Sequence, residues 1–201
     1  MSVAFHGLDL ELHADVYGPR EDTELMLRAL DLHDVAEGDR ACDVGTGTGA
    51  LALALARRGA RVLATDVNPA AIRLARANAH RNGLAARVDA VRASLLAPLR
   101  GPFDLVVFNP PYLPVEGELP GELPKSWEGG LQGLGWAPLF LAGLHRCLAP
   151  GGRALVAVSS LGRPGAFAAL AASRGFVAQA VASAKLPWET LQAVQVQRGN
   201  L

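Results

Sequence analysis

The apolar run DLVVF stops at an asparagine, and Asn109, Pro110, Pro111 and Tyr112 follow in that order. These residue types suit work on a planar –NH2 group. An amide or an exocyclic amine is a poor nucleophile because its nitrogen lone pair is delocalised. A side-chain oxygen and a backbone carbonyl that each accept one N–H hydrogen aim that lone pair. Asn109 supplies the first acceptor and the Pro110 carbonyl the second. The two prolines fix φ and bring no N–H to compete, and Tyr112 offers a flat face against which a planar group packs. A proline-rich turn after a strand is the plainer alternative.

A second constellation lies upstream, in DVGTGTGA at residues 43–50. Gly45, Gly47 and Ala50 satisfy G-x-G-x-x-G/A, a pattern that alone also admits a nicotinamide-dependent oxidoreductase. Asp43 argues against that reading, because a carboxylate beside the loop repels a diphosphate and welcomes a cation. S-adenosylmethionine suits such a loop: it has no phosphate, and it carries an ammonium and a sulfonium beside its adenosine. Asp66 follows roughly 20 residues on, at the end of the next predicted strand, where an acidic residue takes ribose hydroxyls. Its structural alternative is to cap the helix that opens at Asn68 and Pro69.

These groups need a scaffold, and the chain punctuates one clearly. Residues 3–5 and 8–13 read as a hairpin turning at Gly7. Pro19, Glu21 and Asp22 suit a helix start, with Leu25, Leu27 and Leu30 as its apolar side. ACDV is a strand, 50–58 a helix and RVLATD a strand. Pro69 opens a helix over 69–81 that Asn82 and Gly83 close. RVDAVRA and FDLVVF are strands, 137–148 is a helix ending at a turn in APGG, and RALVAVSS is a strand. A helix over 164–173 and the strands FVAQAV and TLQAVQVQ complete the chain. The alternation predicts an α/β fold, a mostly parallel sheet of about seven strands with helices on both faces. The last two strands lack a helix between them, so one is expected to run antiparallel. One domain, 1–201, is expected, with a hairpin at 1–18 and a proline- and glycine-rich substrate loop at 109–133.

Composition narrows the function classes. The 201 residues are 50% hydrophobic and 19% charged, with formal net charge +0, so no basic excess is available to grip phosphates. Arg73 and Arg76 read as the solvated face of a helix. No apolar run reaches the length of a membrane span, and the N-terminus does not read as a signal peptide, so a cytoplasmic location is expected. Cys42 and Cys147 lie far apart and outside any CxxC pair, which argues for burial rather than a zinc site. The five histidines show no catalytic grouping. Trp188 reads as a packing residue.

Taken together, DVGTGTG, TDVNP and FNPPY resemble the class I S-adenosylmethionine methyltransferases that modify amino nitrogens. More narrowly, the chain is similar to the HemK family of release-factor glutamine methyltransferases. FHGLDLELHADVYGPREDTEL resembles that family's hairpin and its P-R-x-[DE]-T-E segment, and WEGGLQG, at 127–133, resembles its substrate-loop G-G-x-x-G. The resemblance implies a Rossmann-like class I fold and a methyl donor, S-adenosyl-L-methionine, contacted by Thr23, Asp43, Gly45, Gly47, Asp66 and Asn109. Ser94 and Leu95 would lie near the adenine, and Asn109, Pro110, Pro111, Tyr112 and Trp127 would meet the substrate. The family has an aspartate where RASLL places Ser94, and a serine hydroxyl gives a neutral, weaker bond.

The bacterial branch of the family carries a helical N-terminal domain. The short eukaryotic and archaeal branch does not, and Val16 to Thr23 and Glu189 to Leu191 resemble the latter. Its enzymes work with a small zinc-binding activator subunit, which the resemblance therefore implies as a partner. The implied reaction is methylation of a glutamine side-chain amide, in the Gly-Gly-Gln motif of a peptide chain release factor. An amino methyltransferase of nucleic acid, acting on adenine N6 or cytosine N4, would use the same chemistry. The neutral chain shows no basic track or target-recognition domain, which argues against nucleic acid as the direct substrate. A degenerate, non-catalytic copy of the fold is the remaining alternative.

Overall fold

The computed structural model describes residues 1–111, 134–162 and 164–199. Two short strands, β1 (Ser2–Phe5) and β2 (Leu8–Glu11), pair antiparallel as the predicted hairpin. β2 stops two residues before its predicted end, because Glu11 already pairs with Ser2 and the partner strand runs out. Then come α1 (Glu21–Leu30), β3 (Arg40–Val44), α2 (Ala50–Arg57), β4 (Arg61–Asp66), α3 (Pro69–Arg81), β5 (Val88–Arg92) and β6 (Phe103–Phe108). Past the undescribed stretch lie α4 (Ala137–Cys147), β7 (Leu148–Ser159), α5 (Pro164–Ser173), β8 (Phe176–Lys185) and β9 (Thr190–Arg198).

β3 to β9 form one seven-stranded sheet in the order β5-β4-β3-β6-β7-β9-β8. β9 pairs antiparallel with both neighbours and the remaining pairings are parallel. The alternation of side chains along each strand divides the core in two. Ala41, Leu105, Val107, Leu155 and Ala157 face α1, α2 and the apolar side of α3. Cys42, Val44, Val106, Phe108, Val156 and Val158 face α4 and α5. Central parallel strands are covered on both sides, which is why DLVVF reads as an unbroken apolar run. Both cysteines are buried. No helix among the described residues is long and apolar enough to cross a membrane.

Two asparagines one turn apart, Asn78 on α3 and Asn82 at its C-terminal cap, dock the hairpin. Asn82 accepts from Asp9 N–H and donates to Asp9 O, both at 2.9 Å. Asn78 repeats this one turn earlier, accepting from Glu11 N–H at 2.7 Å and donating to Glu11 O at 3.1 Å. Each side-chain amide thus completes the backbone ladder that β2 would otherwise leave open. Asn78 is fully buried and also donates to Thr48 O at 2.8 Å, tying the hairpin to the glycine loop. Asn78→Ala is expected to lower unfolding free energy by about 2–4 kcal/mol, since it strands the buried Thr48 O and two part-buried backbone groups of Glu11 and leaves a cavity. Urea unfolding of the variant measures this, and a loss below about 1 kcal/mol would contradict the clamp.

Three expectations are corrected. β7 begins at Leu148, not after a turn in APGG. Phe103 pairs with Leu148 and Leu105 with Arg153, so residues 149–152 bulge from the ladder, which accommodates Pro150 in a strand. β8 runs on to Lys185, well past FVAQAV, because it pairs along its length with β9. Trp188 is no packing residue: it stands 77% exposed in the β8–β9 connection.

Candidate functional site

The strand order reverses between β3 and β6, the switch point at which open α/β sheets place a ligand crevice. A cavity of about 390 Å³ lies there, at the carboxyl ends of β3, β4 and β6. Thr23, Asp43, Gly45, Gly47, Asp66, Leu95, Asn109, Pro110 and Pro111 all line it. Ser94 does not: it is exposed, while its neighbours Ala93 and Leu95 reach the wall. Tyr112 and Trp127 lie outside the described residues.

The glycine loop is held from both ends by carboxylates. Asp43 is 1% exposed, and its Oδ2 accepts from Thr46 Oγ1 at 2.7 Å and from Ala52 N–H at 3.1 Å. These bonds fold the loop back onto β3 and satisfy a free N–H in the first turn of α2. Asp66 Oδ2 accepts from Gly47 N–H at 3.0 Å, and Oδ1 from Asn68 N–H at 2.8 Å. Asn68, not Asp66, caps α3, its side chain accepting from Ala70 N–H at 2.8 Å. Asp66 therefore keeps lone pairs for a ligand.

Gly45, Gly47 and Gly49 all have positive φ, and at two of them space also demands glycine. Gly47 has φ +53, and a Cβ there would meet Tyr17 O at 3.3 Å. Gly49 has φ +87, and a Cβ would press on Ala75 of α3 at 3.2 Å. On the opposite wall Leu95, buried, sits at φ 49, a conformation that a branched side chain adopts only when its surroundings impose it.

The electrostatics of the cavity are one-sided. Asp15, Asp22, Asp43 and Asp66 line it, and no lysine or arginine does among the described residues. Burial pushes the Asp43 carboxyl up to about 7, against the two hydrogen bonds that favour its charge, and Asp66 adds to the rise. Asp66 is likewise raised by burial, opposed by the backbone N–H groups of Asn68, Gly47 and Val67. Such a cavity repels phosphate and favours a cationic ligand, as S-adenosylmethionine is.

Asn109 is the last element. It follows the end of β6, and its Oδ1 is buried without a hydrogen-bond partner among the described residues. An orphaned buried acceptor costs about 1–3 kcal/mol, so its retention beside a cavity points to a donor that arrives with a ligand. The adjoining Pro110 is buried and carries no N–H that could satisfy it.

Sequence reasoning overlooked part of this wall. Asp22 is 4% exposed and accepts from Thr23 N–H at 2.6 Å and Thr23 Oγ1 at 3.2 Å. By sequence Asp22 reads as a helix-start residue within the P-R-x-[DE]-T-E segment, and its place in the cavity wall depends on the fold. Thr46, Val16 and Tyr17 also line the cavity; they lie within the glycine loop and the Val16–Thr23 segment, but neither pattern assigns them a role. Among the described residues no cluster of His, Cys, Asp and Glu is arranged to hold a metal ion.

Comparison with known proteins agrees with this geometry. Residues 16–118 match the family model described as the methyltransferase small domain. The chain is similar to the release factor glutamine methyltransferase of Moorella thermoacetica, at 41% identity over 167 residues, covering 78% of this chain and 59% of that protein. It thus spans about three fifths of that relative's length. A Methanocaldococcus jannaschii protein, provisionally named a protein N5-glutamine methyltransferase, is 32% identical over 201 residues, covering 98% of this chain and 100% of that one. Among solved structures, one similar chain belongs to the E. cuniculi Mtq2–Trm112 complex, responsible for methylation of the translation termination factor eRF1. It superposes with a TM-score of 0.71 at 27% identity, covering 92% of this chain and 99% of that chain.

Proposed function

The chain belongs to the HemK family of protein N5-glutamine methyltransferases, and on that premise we propose that it methylates the side-chain amide nitrogen of a glutamine in the Gly-Gly-Gln motif of a peptide chain release factor. The observation that carries this reading is the unpartnered Asn109 Oδ1 beside a cavity suited to a cation. The names of the relatives support the acceptor. The archaeal protein is similar to this chain along its whole length. The neighbour's occurrence in a complex with Trm112 supports a small activator subunit.

S-adenosylmethionine, bound in the cavity, would supply an electrophilic methyl group, its methyl–sulfur bond breaking as the carbon–nitrogen bond forms and the sulfur leaving as a neutral thioether. Asp66 is the acceptor for its ribose hydroxyls. Leu95 would border its adenine, and the wall of Asp43, Asp22 and Thr23 would favour its positive charges. Asn109 Oδ1 and Pro110 O accept the two hydrogens of the acceptor amide. Holding both hydrogens turns the nitrogen lone pair out of conjugation and toward the methyl group. Tyr112 packs on the amide plane. The nitrogen turns acidic as it is alkylated, so its proton passes to water and no side-chain base is required.

The raised Asp43 carboxyl gives the donor site a pH signature. Between its ordinary value of 3.8 and about 7, the folded protein binds a proton there that the unfolded chain releases. Stability from this group is therefore lost as pH rises through that window. A cationic donor favours the carboxylate and expels the proton. Its affinity is expected to climb by up to about tenfold per pH unit below about 7 and to flatten above it. Calorimetry in buffers of different ionisation enthalpy reads the released proton directly, and a flat affinity from pH 5.5 to 8 would contradict it.

The function itself is tested with radiolabelled S-adenosylmethionine, a release factor from the same cell, its Gln→Ala form, and DNA and RNA in parallel. Label on the intact factor and not on the Gln→Ala form supports the proposal. Label on nucleic acid alone would keep the chemistry and overturn the acceptor.

A further inference from the structure

The β8–β9 connection, residues 186–189, carries a tryptophan where hairpin tips ordinarily carry small or polar residues. The tip is firmly tied down. Leu186 N–H donates to Glu189 O at 2.8 Å, and Thr190 N–H donates to Ser160 Oγ at 2.9 Å. The fully buried Ser159 donates its hydroxyl to the Glu189 carboxylate and accepts from Leu161 N–H at 3.0 Å. Pro187 fixes one more dihedral. Trp188 is thus displayed on an anchored turn.

The anchoring also fixes where the ring stands. Leu191 of β9 lies opposite Ser159, the last residue of β7, so the tip sits at the carboxyl end of the parallel strands, as Asn109 does. With β7 and β9 following β6 in the sheet, the tip stands roughly 10–15 Å to the side of β6 at about 4.8 Å per strand, and beyond its end, since Phe108 pairs with Val156 and the tip lies past Ser159. Leu161, 48% exposed, lies on the 3-10 turn Ser160–Gly162 that the tip is bonded to. Tyr17, 56% exposed, completes the strip on the cavity side: it lines the cavity, and Glu189 is near enough to help raise its phenol.

We propose that Trp188, with Leu161 and Tyr17, forms an apolar strip that docks the polypeptide flanking the methylated glutamine of the acceptor protein. This rests on the protein-acceptor reading above. The occupant is the acceptor and not a resident subunit, because Trp188 and Leu161 stand at the same carboxyl end of the sheet as the cavity that Tyr17 lines. A subunit held there permanently would stand between the cavity and any acceptor. Charge also favours a polypeptide over nucleic acid. Asp22, Glu21 and Glu189 bear on Tyr17 against the single guanidinium of Arg20, which lies 4.9 Å from the ring centre, so the net field there is unfavourable to phosphates.

Trp188→Ala tests the strip, with wild type alongside and any copurifying small subunit left in place. The KM for the intact release factor is expected to rise about 10- to 30-fold, as for a central aromatic anchor. The kcat and the Kd for S-adenosylmethionine should stay within about twofold, and Trp188→Tyr should recover most of the loss. Equal KM in variant and wild type overturns the docking surface while leaving the acceptor reading intact. A fall in kcat or donor affinity with unchanged KM marks a structural role and overturns it too. Absence of transfer to the release factor by wild type removes the acceptor reading, and the docking inference with it.

Discussion

Replacing Asn109 by alanine is expected to lower kcat by about 100- to 1,000-fold while the Kd for S-adenosylmethionine shifts by less than about tenfold, the range seen when one preorganised hydrogen-bonding group is removed from a reacting centre. The asymmetry follows from what Oδ1 does. In the free protein it bonds to nothing among the described residues. Its contribution therefore appears only when an amide N–H arrives. Without it the Pro110 carbonyl still holds one hydrogen, but the amide can rotate about that bond and its lone pair drifts back into conjugation. Stability should not fall and is expected to rise slightly, since an unsatisfied buried acceptor disappears. Asn109→Asp keeps an acceptor at the same position and should retain more activity than alanine. Single-turnover rates together with calorimetric donor affinity separate these effects. Near-normal turnover in Asn109→Ala would remove the proposed mechanism.

Asp66→Ala is expected to produce the opposite split: donor Kd rises about 100- to 1,000-fold, and kcat at saturating donor falls less than about tenfold. Two adjacent ribose hydroxyls present two donors to one carboxylate, and a hydrogen bond to a charged group contributes about 1.5–3 kcal/mol. The carboxylate also accepts from Gly47 N–H and Asn68 N–H, so its loss loosens the glycine loop at the same time. Asp66→Asn, which keeps one oxygen acceptor, should fall between. A Kd change below about tenfold in the alanine variant would refute the ribose assignment.

The scaffold was legible wherever a local signal bounded an element. Asn68-Pro69 and Asn82-Gly83 bracket α3, and the helix occupies Pro69–Arg81 as predicted. The unbroken apolar run of β6 and the glycines after β3 located the crevice, because covered parallel strands and tight turns each impose residue types locally. Features that depend on distant partners were not legible. Nothing near APGG says that Leu148 pairs with Phe103 across a bulge. The extension of β8 from Ala182 to Lys185 acquires its strand only from β9. Asn78 looks like an ordinary polar helix residue until the hairpin is laid over it. Trp188 suggests core packing by type alone, and only the bonds from Ser159 and Ser160 to the tip place it outside. The same holds for Asp43, whose partners Thr46 and Ala52 close a ring that the motif alone does not show.

The most direct test is to locate the transferred methyl group. The release factor is incubated with S-adenosylmethionine and either the wild-type protein or Asn109→Ala, then digested and sequenced by tandem mass spectrometry. The proposed chemistry predicts a single added methyl on the side-chain nitrogen of the Gly-Gly-Gln glutamine with wild type, and almost none with the variant over the same time. A methyl group on any other residue, or equal methylation of that glutamine by both forms, would contradict it.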